Sequence, residues 1–124
     1  MGERPRGMVS IVDDDASLRR SVRNLLASAG FSVQAFASAE EFLNSPRRAG
    51  TGCLVLDLRM TGMSGLDLLE HLRATGASTP VVILTAHGDA EACRRAMEAG
   101  AVAFLGKPFR SDALLDAVTM ALDR

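Results

Sequence analysis

Three consecutive carboxylates, Asp13, Asp14 and Asp15, follow the apolar run Met8-Val9-Ser10-Ile11-Val12. A fourth, Asp57, follows Cys53-Leu54-Val55-Leu56. Thr85 and Ala86 follow Val81-Val82-Ile83-Leu84, and Lys107, with Pro108 behind it, follows Ala101 to Leu105. If these runs are strands of one sheet, three or four carboxylates, one hydroxyl and one ammonium meet in a shallow cleft. Carboxylates so crowded repel one another and raise each other's pKa. One lysine cannot balance them. Mg²⁺ can: it is hard, takes oxygen ligands, and usually binds through one or two carboxylates with retained waters and a phosphate oxygen. Carboxylates accept phosphoryl groups, and a divalent ion with a lysine neutralises the oxygens of the group in transit. Phosphoryl transfer to an aspartate is therefore the chemistry these residue types allow.

Each residue alone also has a plainer role. Acids favour helix N-termini, so Asp13–Asp15 can cap a helix, and Asp15 is expected to do mainly that. Asp57 alone reads as a loop residue after a strand, Thr85 as a strand-end hydroxyl bonded to backbone, and Lys107-Pro108 as a surface turn. Their joint placement after four different apolar runs is what favours a site.

Positioning them requires a particular order of elements. Strand candidates are Met8–Val12, Ser32–Phe36, Cys53–Leu56, Val81–Leu84 and Ala101–Leu105. Near-continuous apolar runs such as the third and fourth suit strands covered on both faces of a parallel sheet. Between them, apolar residues recur at helical spacing: Leu18, Val22, Leu25, Leu26 and Ala29, with Arg19, Arg20 and Arg23 on the other side. Ser38 with Glu41 matches a capping box before Phe42 and Leu43. Pro46 to Gly52 reads as a loop. Ser64 with Asp67 opens a helix carrying Leu66, Leu69 and Leu72. Asp89 to Ala99 forms an Ala-rich helix, and Ser111 caps a last one bearing Leu114, Leu115, Val118 and Leu122. Gly30, Gly76 and Gly100 stand where helices end. Five strands alternating strictly with five helices imply parallel strands joined by right-handed crossovers, an open doubly wound α/β sheet. Sites in such sheets lie beyond the carboxyl ends of the strands, where strand order reverses.

Composition agrees with one such unit. The 124 residues are 48% apolar and 23% charged, within the usual size of one domain. Fourteen basic against fifteen acidic residues give a net charge of −1, which argues against a module built to hold nucleic acid or an anionic membrane. With no Trp or Tyr, an aromatic platform for single strands is hard to build. Cys53 and Cys93 form neither a metal cluster nor a disulfide scaffold and are expected to be reduced, buried thiols. Met1 to Gly7 has no apolar core of a signal peptide, and no apolar stretch approaches the roughly 20 residues needed to cross a bilayer. A cytoplasmic location is the expectation. His71 is expected to be exposed and without a role.

The chain resembles the response-regulator receiver domain, the CheY-like family. The match runs from about residue 8 to 122 of a single domain spanning 1–124. It rests on Ile11-Val12-Asp13-Asp14, Leu56-Asp57-Leu58-Arg59-Met60, Met63-Ser64-Gly65, Leu84-Thr85-Ala86 and Lys107-Pro108-Phe109. The ordered set is specific, although each piece alone is weak. Asp57-Leu58-Arg59-Met60, Gly88-Asp89 and Ala99-Gly100-Ala101-Val102 are similar to the FixJ-like subgroup. The resemblance implies strand order 2-1-3-4-5. It implies that Asp57 is the phosphoacceptor for a sensor histidine kinase, not the nucleophile of a turnover enzyme. Asp14 and Asp57 would bind Mg²⁺ directly, Asp13 through a water, and Arg59 through its backbone carbonyl. Lys107 would pair with the phosphoryl oxygens. Thr85 would reorient to hydrogen-bond them, and Phe104 would change rotamer with it. The Lys107-Pro108 bond would be cis. The family usually has Pro after Met60; Thr61 stands here and is expected to leave that loop more mobile.

The output surface is expected on the fourth helix and fifth strand, where Ala90, Ala92 and Ala96 make small shifts cheap and a phosphorylation-dependent homodimer is the first expectation. FixJ-like proteins usually carry a C-terminal DNA-binding output domain, which this chain does not contain. Arg59 and His87 stand two residues beyond Asp57 and Thr85, at positions that the resemblance to receivers implies border the path of hydrolytic water, and their bulk predicts a long-lived acyl phosphate. Three other functions compete. A flavin carrier would need a hydroxyl- and glycine-rich phosphate loop where three aspartates stand. An aspartyl phosphatase would need a carboxylate where Arg59 stands. A degenerate receiver serving only as an interaction module would not need the intact Asp13, Asp14, Asp57, Thr85 and Lys107.

Overall fold

Alternate residues of the apolar runs face opposite ways, and both directions are buried. In the computed structural model, which describes residues 7–86 and 90–123, five parallel strands form one sheet: β1 (Met8–Val12), β2 (Ser32–Phe36), β3 (Thr51–Asp57), β4 (Val81–Ala86) and β5 (Ala103–Lys107). Their order is β2-β1-β3-β4-β5, as the resemblance implied. Cys53 and Val55 of β3, with Val82 and Leu84 of β4, pack under α1 (Ala16–Ser28) and α5 (Ser111–Leu122). Leu54 and Leu56, with Val81 and Ile83, pack under α2 (Ala39–Asn44), α3 (Gly65–Ala74) and α4 (Ala90–Glu98). The two-residue period of a strand thus supplies both layers of a doubly wound core.

Helix ends follow local chemistry. The Asp15 side chain accepts from the Ser17 and Leu18 amides at 2.9 and 3.2 Å and caps α1. Ser64 and Asp67 close a reciprocal capping box on α3. At α2 only half of the expected box forms: Ser38 accepts from the Glu41 amide, but the Glu41 carboxylate turns back to the Ala37 amide. Ser111 does not cap α5. It is the first helical residue, and Arg110, whose side chain has no acceptor, occupies the cap without a side-chain bond. The expected loop from Pro46 contains a 3₁₀ turn, Pro46–Gly50.

Three strands end later than hydrophobicity predicts. Asp57 is the last residue of β3, Thr85 and Ala86 belong to β4, and Lys107 ends β5, which starts at Ala103 and not at Ala101. Asp57 pairs with Leu84, Thr85 with Gly106 and Ala86 with Lys107. The ladder continues through polar residues because backbone pairing does not require an apolar side chain. At the opposite end of the sheet, the Arg73 guanidinium donates to the carbonyls of Ala77, Thr79, Ala99 and Gly100. It ties the end of α3 to the start of β4 and the end of α4. Among the described residues, no helix is long and apolar enough to cross a membrane.

Candidate functional site

The strand order reverses between β1 and β3, so a crevice opens at their carboxyl ends. Asp13 follows β1, and its amide extends the ladder to the Phe36 carbonyl at 3.2 Å. Asp57 ends β3. Both are buried, 1% and 6% exposed, whereas Asp14 is exposed. One oxygen from each of Asp13, Asp14 and Asp57 lies within 4.8 Å of the others. The Lys107 ammonium stands 3.3 Å from Asp13 Oδ2 and 3.6 Å from Asp57 Oδ2. It is the chain's single lysine among thirteen arginines.

Each carboxylate is oriented by one backbone N–H. The Asp15 amide donates to Asp13 Oδ1 at 2.9 Å, the Arg59 amide to Asp57 Oδ1 at 3.2 Å, and the Thr61 amide to Asp14 Oδ2 at 3.1 Å. These bonds leave Asp57 Oδ2 toward Lys107. Burial, and then the Asp13 carboxylate, push the Asp57 carboxyl up to about 6; Lys107 and the Arg59 amide only partly offset them. Three carboxylates against one ammonium leave two formal negative charges. That balance and the all-oxygen donor set fit one hard divalent cation.

The structure brings together Asp13, Asp14, Asp57 and Lys107. Thr85, on β4 one residue beyond the Leu84 that pairs with Asp57, is buried, but its hydroxyl donates to the Ala86 carbonyl at 3.0 Å. Phe104 is 49% exposed on β5. The Arg59 side chain is exposed while its amide holds Asp57. His87, expected beside the hydrolytic water, lies outside the described residues, as do Gly88 and Asp89. The Lys107-Pro108 bond is cis. His71 is exposed, and Cys53 and Cys93 are buried and free of disulfides, with burial pushing the Cys53 thiol up to about 12.

Three supporting residues carry no signal in residue type alone. Arg19, on the polar side of α1, donates to the Asp13 carbonyl at 2.8 Å. Glu40 of α2 accepts from the Met63 amide at 3.0 Å. Gly65 begins α3 directly against β3: a Cβ there would stand 2.0 Å from the Asp57 carbonyl oxygen.

The chain matches the response regulator receiver domain family over residues 9–119. Nodulation protein W of Bradyrhizobium diazoefficiens is 48% identical over 119 residues, covering 96% of this chain and 52% of that protein. Transcriptional regulatory protein FixJ of Azorhizobium caulinodans is 43% identical over 116 residues, covering 94% of this chain and 55% of that one. The crystal structure of FixJ-N aligns with a TM-score of 0.89 at 38% identity, over 100% of this chain and 97% of that one. The response regulator StyR aligns with a TM-score of 0.88 at 52% identity, over 95% of this chain and 60% of that one. The chain spans about half the length of the curated relatives it matches.

Proposed function

The chain belongs to the response regulator receiver domain family, and on that premise we propose that it takes a phosphoryl group from a phosphohistidine of a sensor histidine kinase onto Asp57. The observation that carries this is the pairing of a buried Asp57 carboxylate with Lys107 at 3.6 Å beside two further acids. The Asp57 oxygen attacks phosphorus, the O–P bond forms, the P–N bond breaks, and its electron pair returns to the imidazole. Asp14 and Asp57 would hold Mg²⁺ directly, Asp13 through a water and Arg59 through its carbonyl. Mg²⁺ bound there supplies positive charge to the phosphoryl oxygens. Lys107 follows the group by moving its ammonium from the carboxylates to a phosphoryl oxygen. The chain promotes its own phosphorylation and slow dephosphorylation and turns over no separate substrate.

The signal is a population shift. Thr85 exchanges its bond to the Ala86 carbonyl for one to the phosphoryl group, and Phe104 follows into the space vacated. Moving an equilibrium from 1:99 to 99:1 takes about 5.5 kcal/mol of differential stabilisation. Two or three charge-assisted hydrogen bonds, from Lys107, Thr85 and a backbone N–H, are of that order. The changed surface is α4 and β5, through which a cytoplasmic homodimer or a C-terminal DNA-binding domain is controlled. Within this scheme Arg59 and His87 slow hydrolysis of the acyl phosphate.

Beryllofluoride with Mg²⁺, a stand-in for the phosphoryl group, tests the switch. Amide resonances at Thr85 and Phe104 are expected to shift together on saturation and to stay still in Asp57→Ala; unmoved resonances in the wild type would contradict it. Light scattering on the same sample is expected to show a doubled mass, and an unchanged mass removes the dimer alone.

A further inference from the structure

The loop from Leu58 to Ser64 is fastened to two other parts of the fold through its own backbone. The Thr61 amide donates to Asp14 Oδ2, 47 positions away in sequence, at 3.1 Å. Two residues on, the Met63 amide donates to Glu40 Oε2 of α2 at 3.0 Å. Proline at position 61 has no N–H and cannot make the first bond.

The bond matters for Asp14 in particular. Asp13 and Asp57 are fixed by burial and by Lys107. Asp14 is exposed, and among the described residues the Thr61 amide is its one hydrogen-bond donor given by the geometry. An exposed aspartate without a partner exchanges freely between rotamers. Held through one carboxylate oxygen, it stays beside Asp13 and Asp57, with an oxygen within 4.8 Å of theirs. The N–H also places a partial positive charge against a cluster that carries excess negative charge.

We propose that the Thr61 backbone N–H is a positioning group for the cation site: it holds Asp14 in its ligating pose and couples cation binding to the order of the Leu58–Ser64 loop. This rests on the assignment of Asp14 and Asp57 as Mg²⁺ ligands. Loss of a group that orients a metal ligand typically weakens affinity by about 10- to 100-fold; an exposed bond belongs at the lower end.

Calorimetric titration with Mg²⁺ of the wild type, Thr61→Ala and Thr61→Pro separates the N–H from the side chain. Thr61→Ala keeps the amide and is expected to bind like the wild type. Thr61→Pro is expected to bind about tenfold more weakly. Unchanged or tighter binding by Thr61→Pro overturns the proposal, and so does equal weakening in Thr61→Ala. A wild type that takes up no Mg²⁺ instead overturns the ligand assignment beneath it. Amide exchange without metal is the second measurement and needs no proline. Exchange at Thr61 is expected to be severalfold faster in Asp14→Ala than in the wild type; identical protection overturns the proposal.

Discussion

Gly65→Ala will destabilise the domain by about 3 kcal/mol, at the upper end of overpacking costs. The added Cβ would lie 2.0 Å from the Asp57 carbonyl oxygen and 2.8 Å from the Asp57 carbonyl carbon and Leu58 Cα. All three are backbone atoms, so no side chain can swing aside. The Gly65 amide also donates to the Leu58 carbonyl at 2.9 Å, which pulls the start of α3 onto the end of β3. Conformation is not the reason for glycine here, since Gly65 is not among the positive-φ residues; close approach is. Relief requires α3 and β3 to separate, and Asp57 moves with β3. The expected result is a melting temperature lower by roughly 10 °C, with phosphoryl uptake lost even below the transition. A melting temperature within about 2 °C of the wild type would show that the contact relaxes without cost.

Asp57→Asn, measured without divalent ions, will be more stable than the wild type at neutral pH. The Asp57 carboxyl titrates at about 6 in the folded chain against an ordinary 3.8, raised first by burial and then by Asp13. Between those values the folded state binds a proton that the unfolded state has released. Stability therefore falls as pH rises through that window and stays reduced above it. Amide replacement removes the charge, keeps an acceptor for the Arg59 amide, and leaves Lys107 its 3.3 Å partner Asp13. The gain at pH 7 is about 1–3 kcal/mol, since one pKa unit is worth about 1.4 kcal/mol and relaxation and solvent take a share. Below pH 4 the two proteins should converge. Mg²⁺ should narrow or reverse the gap by binding the folded wild type more tightly. Melting curves from pH 4 to 8, with and without Mg²⁺, check this; a gap independent of pH would contradict it.

Much of the fold is legible because burial on two faces leaves a pattern. Cys53–Leu56 and Val81–Leu84 are apolar at every position because both sides of the central strands are covered. Asp15 and Ser64 cap helices through contacts two or three residues away, a range that sequence displays directly. The strand ends are less legible. Asp57, Thr85 and Lys107 sit in the ladder although none is apolar, and hydrophobicity registers burial, not backbone pairing. Ala101 and Val102 mislead in the opposite sense: their amides bond to Ala96 and Val81 before β5 begins. Ser111 misleads because a good capping residue one position too late caps nothing.

The site divides the same way. Topology alone gathers Asp13, Asp14, Asp57 and Lys107, since every one ends or follows a strand. Thr85 is adjacent in the sheet, yet its hydroxyl bonds locally to Ala86, the plainer of its two roles. Arg19, Glu40 and the Thr61 amide are not legible, because backbone donors and acceptors are common to almost every residue and only the folded chain selects which of them meet. The single lysine was a compositional signal for Lys107: a chain that otherwise uses arginine for positive charge places its one flexible ammonium between two buried carboxylates.

Intact mass after incubation with acetyl phosphate tests most directly whether Asp57 is a cation-dependent phosphoryl acceptor. The wild type with Mg²⁺ should gain the mass of one phosphoryl group; the wild type with a chelator, and Asp57→Ala with Mg²⁺, should gain none. Equal uptake by Asp57→Ala, or by the wild type stripped of divalent ions, would contradict it.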